Sequence, residues 1–246
     1  MTWNKTDHQL RKDRVLGIVV NQYIQTVSPV SSGYIAHEYM PDLSSASIRN
    51  ILAELEKEGF LMHPHTSSGR VPTQEGYRYF VDNLMNEINL LEQEKTKIKH
   101  EYVQGVKDLE VILDQTSKVI SDLTHYTSII SIDGCYDRLY CRGTNYVVQY
   151  PNYKDIDKIQ NILKALEEKE HLLGIINQEI NVKIKIYIGH EIAWSHFEEC
   201  SLAISPYELG DKTSGRLAVL GPKHMDYQRV VSTLEYCAEL MKQILY

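Results

Sequence analysis

Apolar residues recur at helical spacing through the first third of the chain. Leu16, Val19, Val20, Tyr23, Ile24 and Val27 predict a helix over about 7–26. Ser28-Pro29 ends it, because the residue before proline avoids helical backbone. A second helix is expected over about 31–40, with Ser31 or Ser32 as cap, Ile35 and Tyr39 inward, and Pro41 as its stop. A third is expected over about 45–58. Ser44 caps it, Ile48, Ile51, Leu52 and Leu55 form its buried stripe, and Gly59 terminates it. Phe60-Leu61-Met62 then reads as a short strand. The polar, acid-free stretch from His63 to Arg70 reads as a hairpin tip, and Val71-Pro72 as the return. Thr73 caps a further helix that contains Tyr77, Phe80, Val81 and Leu84.

Beyond residue 83 the pattern changes twice. Residues 83–124 have no proline and read as mostly helical, with a break near Gly105. From Thr127 strands are expected at 127–132, 137–142, 182–188, 201–205 and 215–220, with helices at about 155–173 and 226–245. That order predicts a mostly antiparallel sheet with helices on one or both sides.

At about 100° per residue, the face of the third helix opposite its stripe carries Ala46, Arg49, Asn50, Ala53 and Lys57. Small residues admit a close approach, and Arg and Asn are the types that read guanine and adenine edges in a major groove. Ser44, Ser45 and Ser47 gather at the helix N-terminus, where backbone amides favour phosphate. A strand, a tip and a return strand directly after this helix are the layout of a wing. Its His65, Thr66, Ser67, Ser68 and Arg70 suit phosphate or minor-groove contact. A solvated face on a structural helix beside a solvent loop is the plainer alternative.

These residues resemble the N-terminal domain of the HrcA family of heat-inducible transcription repressors. The resemblance lies in Ser44 to Asn50 (SSASIRN), Pro64 to Thr73 (PHTSSGRVPT), Gly76 to Tyr79 (GYRY) and Tyr23 to Ser32 (YIQTVSPVSS). It continues in Ser121–Ser128, Leu139–Pro151, Leu166–Leu173 and Val219–Met241, which look like the family's GAF-like domain. The resemblance implies an α+β chain. A winged helix-turn-helix over 1–82 precedes a helical linker and a GAF-like antiparallel-sheet domain with flanking helices over 83–246. It further implies a repressor of chaperone genes that binds an inverted-repeat operator as a homodimer, with a GroEL-type chaperonin as partner. Heat diverts that chaperonin to unfolded clients and so relieves repression. The chain departs from the family in one place. The family has an additional inserted segment between the strands at Ile129–Ile132 and Leu139–Arg142, and here only 133–138 separate them.

Composition bounds this reading. The chain has 246 residues, 43% hydrophobic and 24% charged, which is ordinary for a globular protein. The net charge of −7 is carried by the residues beyond 80, while the first eighty are close to neutral. Those eighty are therefore the region that approaches a polyanion without strong repulsion. No apolar run reaches the roughly 18 residues of a membrane span, and the N-terminus lacks an apolar signal region. Cys135, Cys141, Cys200 and Cys237 form no CxxC pair, as expected of reduced cytoplasmic thiols.

Other chemistry is thinner. His190, Glu191 and His196 suggest a metal site, but the histidines are six apart rather than spaced as HExxH. Cys135 and Cys141, expected on opposing strands of one hairpin, suggest a redox pair. No glycine-rich phosphate loop or nucleophile elbow is present, and neither a cofactor nor an enzymatic activity is expected. A regulator whose GAF-like domain senses a small-molecule effector is the alternative function.

Overall fold

A computed structural model of the chain describes residues 7–64, 69–86, 88, 90–101, 108–149, 156–178, 182–209 and 213–244. They fall into two compact units, Met1–Asn86 and Glu87–Tyr246.

The first unit is built around three helices. In α1 (Asp7–Thr26), Val15, Leu16, Val19 and Val20 are fully buried along one face. The helix ends before the proline, with Val27 in left-handed backbone at φ 49°. In α2 (Ser32–Glu38) the Ser31 hydroxyl accepts the Tyr34 amide as N-cap. Ile35 points inward as expected, but Tyr39 does not. It is 38% exposed, its hydroxyl donates to Gln22, and Met40 takes the core position instead. In α3 (Ser45–Lys57) the stripe of Ile48, Ile51, Leu52 and Leu55 is buried as read, and Gly59 adopts φ 86° just beyond.

Strands β1 (Leu61–Met62) and β2 (Val71–Pro72) pair antiparallel, and an isolated bridge joins Arg70 to Val30. Val30 thus adds a third, one-residue strand beside the ribbon. Thr73 caps α4 (Gln74–Tyr79), which runs into a π turn at Phe80–Leu84 that buries Phe80. Three helices followed by a ribbon that folds back on the α1–α2 connection give the winged helix-turn-helix layout.

Gly69 is held where its bridge to Val30 begins. A Cβ there would stand 2.3 Å from the Val30 carbonyl oxygen, and the obstacle is backbone. Gly69→Ala is therefore expected to lower the stability of this unit by about 1–3 kcal/mol, the usual cost of overpacking. Urea unfolding of the variant and the parent checks it, and equal midpoints would refute it.

The second unit is a five-stranded antiparallel sheet in the order β4-β3-β7-β6-β5. Its strands are β3 (Thr127–Ile132), β4 (Cys135–Arg142), β5 (Lys185–Ile188), β6 (Cys200–Leu209) and β7 (Thr213–Pro222). Helices α6 (Leu109–Thr124) and α9 (Tyr227–Ile244) pack on one face. On the other lie α7 (Ile156–Glu167), α8 (Lys169–Ile176) and short 3-10 turns. Interior strand β3 is buried at every position, as a sheet covered on both faces requires.

Three expectations change. The helical stretch after residue 83 is two helices as expected, a linker helix α5 (Glu92–Glu101) and the packed α6, but it starts later, with residues 85, 86, 88, 90 and 91 outside both. Each helix has its own start: Glu94 accepts the Leu91 amide at 2.9 Å, and Asp108 caps α6 through the Glu110 amide. The expected break at Gly105 lies outside the described residues. The helix expected over 155–173 divides at Glu168, whose ψ of 69° is not helical, and this turn lets Leu166, Leu172, Leu173 and Ile176 all face the core.

The third change is at the β3–β4 hairpin. Its turn is only Asp133-Gly134, with Gly134 at φ 78°, because Ile132 already pairs with Cys135. Ser131 pairs with Leu139, so Tyr136, Asp137 and Arg138 are an excess of three on β4. Cys135 and Cys141 consequently belong to one strand rather than to opposing ones. Cys141 pairs with Ile129 and Cys135 with Ile132, so the two cysteines are about three strand residues, roughly 10 Å, apart along the ladder and beyond disulfide reach.

Candidate nucleic-acid interface

Helix α3 presents two unlike faces. Ala46, Ser47, Arg49, Asn50, Ala53 and Lys57 are exposed opposite the buried stripe. Among the described residues the side chains of Arg49, Asn50 and Lys57 have no hydrogen-bond or ion-pair partner. The acids of the same helix end are all engaged. Glu54 meets His8 at 2.8 Å, and Glu58 takes both oxygens to Lys12 Nζ at 2.5 and 2.6 Å. Glu56 faces His63 and Arg70. The exposed surface thus offers free cations while its carboxylates are matched within the fold, the balance a polyanion requires.

The serines organise the N-terminus of α3. Ser44 Oγ accepts the Ser47 amide at 3.1 Å and lies 2.9 Å from Ser47 Oγ. Ser45 Oγ is 3.1 Å from Ser32 Oγ, which ties the start of α3 to the start of α2. These three hydroxyls therefore fix the helix end as well as lining it.

Arg70 differs from its sequence expectation. Its side chain is only 13% exposed, and its guanidinium pairs with Glu56 Oε2 at 2.8 Å and hydrogen-bonds His63 Nε2. It is held inside the unit by α3, not free at the wing. His65, Thr66, Ser67 and Ser68 lie outside the described residues. Sequence reasoning passed over Glu56. Partial desolvation lifts its carboxyl, but the His63 hydrogen bond and the Arg70 charge outweigh that and hold it below the usual carboxylate value. The signal was available, since the ribbon register sets His63 opposite Arg70.

The other sequence candidates separate. His190 and Glu191 share one 3-10 turn, and the Glu191 carboxylate is spent on the Ile188 amide at 2.9 Å. His196 lies edge-on to Trp194 in a different turn. Among the described residues no three His, Cys, Asp or Glu side chains are arranged to hold a metal. The sheet face beneath α7 and α8 is filled by one cluster that includes Ile129, Leu166, Trp194, Phe197, Leu202 and Leu220. No helix of the described residues is long and apolar enough to cross a membrane.

Fold and site together define a two-unit α+β protein, a three-helix unit with a short antiparallel ribbon and an exposed cationic helix face, followed by a GAF-like antiparallel-sheet unit. Comparison with known proteins is consistent throughout. Residues 132–231 match the family model for the HrcA protein C-terminal domain. The chain is similar to the heat-inducible transcription repressor HrcA of Chlorobium chlorochromatii, 28% identical over 337 residues and covering 96% of this chain and 97% of the relative. It is likewise similar to the repressor of the same name from Symbiobacterium thermophilum, 24% identical over 333 residues, covering 95% and 98%. A crystal structure of a hypothetical protein shares the fold, with a TM-score of 0.76 at 18% identity over 98% of this chain and 97% of that one. The chain thus resembles HrcA repressors over nearly its whole length, and its residues 132–231 match that family's C-terminal domain. It is shorter than these relatives. The alignment with the Symbiobacterium relative runs over 333 positions against 246 residues here, so at least 333 − 246 = 87 positions have no counterpart in this chain.

Proposed function

We propose that the protein is a DNA-binding repressor of heat-shock (chaperone) genes. A homodimer reads an inverted-repeat operator through α3, and a GroEL-type chaperonin is the partner that sustains its activity. The observation that carries this reading is the exposed face of α3. Among the described residues Arg49, Asn50 and Lys57 are unpaired there beside small residues, while every acid of the helix end is matched. Arg49 and Asn50 supply base contacts, and Ser44, Ser45 and Ser47 place the helix end on phosphate. His65, Thr66, Ser67 and Ser68 supply wing contacts. The repressor names of the relatives support the same assignment.

The test is enrichment of duplex from a randomised pool by the full chain, followed by footprinting of the selected duplex with and without chaperonin. An inverted repeat protected more strongly with chaperonin is expected. Failure to enrich any sequence refutes the DNA reading. A second measurement addresses assembly, because two heads at fixed spacing need a two-fold partner, placed here in residues beyond 83. Sedimentation of the full chain at micromolar concentration is expected to give about twice the 28.4 kDa chain mass. A species at the single-chain mass would refute the dimer.

A further inference from the structure

The neck of the wing is clamped from two sides. On one side Val30 and Arg70 exchange both backbone hydrogen bonds at 2.9 Å, and Gly69 admits that approach because it has no side chain. On the other side three side chains close a triangle. His63 Nδ1 lies 2.6 Å from Glu56 Oε1, Arg70 Nη2 lies 2.8 Å from Glu56 Oε2, and Arg70 Nη1 meets His63 Nε2. A guanidinium only donates, so His63 Nε2 accepts, and the network assigns the ring proton to Nδ1, which donates to Glu56. Both oxygens of one carboxylate on the last turn of α3 thus hold the two residues that flank the wing connection.

We infer that Glu56 is the positioning residue of the wing, and that Arg70 serves it as an internal anchor rather than as a phosphate contact. The inference rests on the DNA-binding reading above. An Arg70 paired to Glu56 adds no net charge to the surface, and the unpartnered Nε of Arg70 is buried. What the pair supplies is a fixed angle between the ribbon and the helix that carries Arg49 and Asn50. Coulomb's law alone predicts that removing the Glu56 charge tightens binding to a polyanion. Positioning predicts the opposite sign.

The experiment uses the full chain and the duplex it enriches from a randomised pool. Glu56→Gln, which keeps size and shape, is expected to bind that duplex about tenfold more weakly. Arg70→Ala is expected to weaken binding with the slope of log affinity against log salt unchanged, whereas removal of a phosphate-binding cation lowers that slope by about one. The charge-swapped pair, Glu56→Arg with Arg70→Glu, is expected to recover most of the loss, which a general defect in folding does not do. Hydrogen exchange at the Arg70 amide, read without DNA, is expected to quicken in Glu56→Gln. If that variant does not fold, Arg70→Lys takes its place, because a point charge cannot span both partners. Binding by Glu56→Gln equal to or tighter than the parent, unchanged exchange at Arg70, or a slope lowered by one in Arg70→Ala each overturns the inference while the DNA reading stands. A parent chain that enriches no duplex overturns both.

Discussion

Replacing Arg49 or Asn50 by alanine is expected to cost about 1–3 kcal/mol in each half-site where the side chain reads a base. A homodimer on an inverted repeat meets that cost twice, so the whole operator weakens by roughly 2–6 kcal/mol, since effects at well-separated sites add. The physical basis is the isolation of these two side chains on α3. Neither is engaged within the unit among the described residues, so truncation removes the interaction with DNA and leaves the packing of the fold as it was. Thermal stability should therefore remain at the parent value while affinity falls. Specificity should also relax at one base pair per half-site. Titration of the enriched duplex, and of duplexes changed at single base pairs, measures both effects. If both variants keep the parent's base preferences, α3 does not lie in the groove as proposed.

Acid is expected to destabilise the second unit well before its carboxylates protonate. Burial of His224 drives its imidazole down to about 4 from an ordinary 6.5, and the nearby Glu199 charge only partly opposes this. Above about pH 6.5 the ring is neutral whether the chain is folded or not, and it costs nothing. Between 6.5 and 4 the unfolded chain takes a proton that the folded chain refuses, so stability falls as pH falls through that window. The full difference is about 3 kcal/mol at 1.36 kcal/mol per pH unit, reached near pH 4. Carboxylates whose values are lowered in the fold, such as Glu94, lose their contribution as pH falls below about 4.5 and so overlap only the bottom of that window. Urea unfolding of a Trp3→Phe background, followed through the buried Trp194, reports on this unit. His224→Gln should flatten the slope between pH 6.5 and 4.5. A parent whose unfolding midpoint is constant over that range would contradict the assignment.

The fold was most legible where the signals are local. Ser31, Ser44 and Thr73 cap their helices as their sequence positions imply, because an N-cap needs only its own hydroxyl and an amide three residues on. The buried stripe of α3 and the exposed set opposite it follow from one period. Tyr39 was misread for the same reason: periodicity places it inward, but Met40 fills the space better and leaves the phenol to bond Gln22. The division at Glu168 has no proline or glycine to announce it and is set by packing on the sheet. Arg70 shows where sequence reading of a site runs out. A cation beside a polar tip looks free until the partner fourteen residues earlier, Glu56, is brought against it by the return of the ribbon onto α3.

The two-residue turn at Asp133-Gly134 also makes the β3–β4 corner a splice point. Ile132 and Cys135 face each other across the ladder, so the chain leaves and re-enters the sheet with its ends about 5 Å apart. Lengthening a loop held at such a gap raises closure entropy only logarithmically. A folded module with adjacent termini can therefore be carried here while Ile129, Ile130 and Ser131 keep their partners on β7. The extra positions of the longer relatives, expected from the sequence at this corner, would need no other accommodation. For this chain the corner offers an attachment point for a reporter domain that leaves the register of the central strands intact.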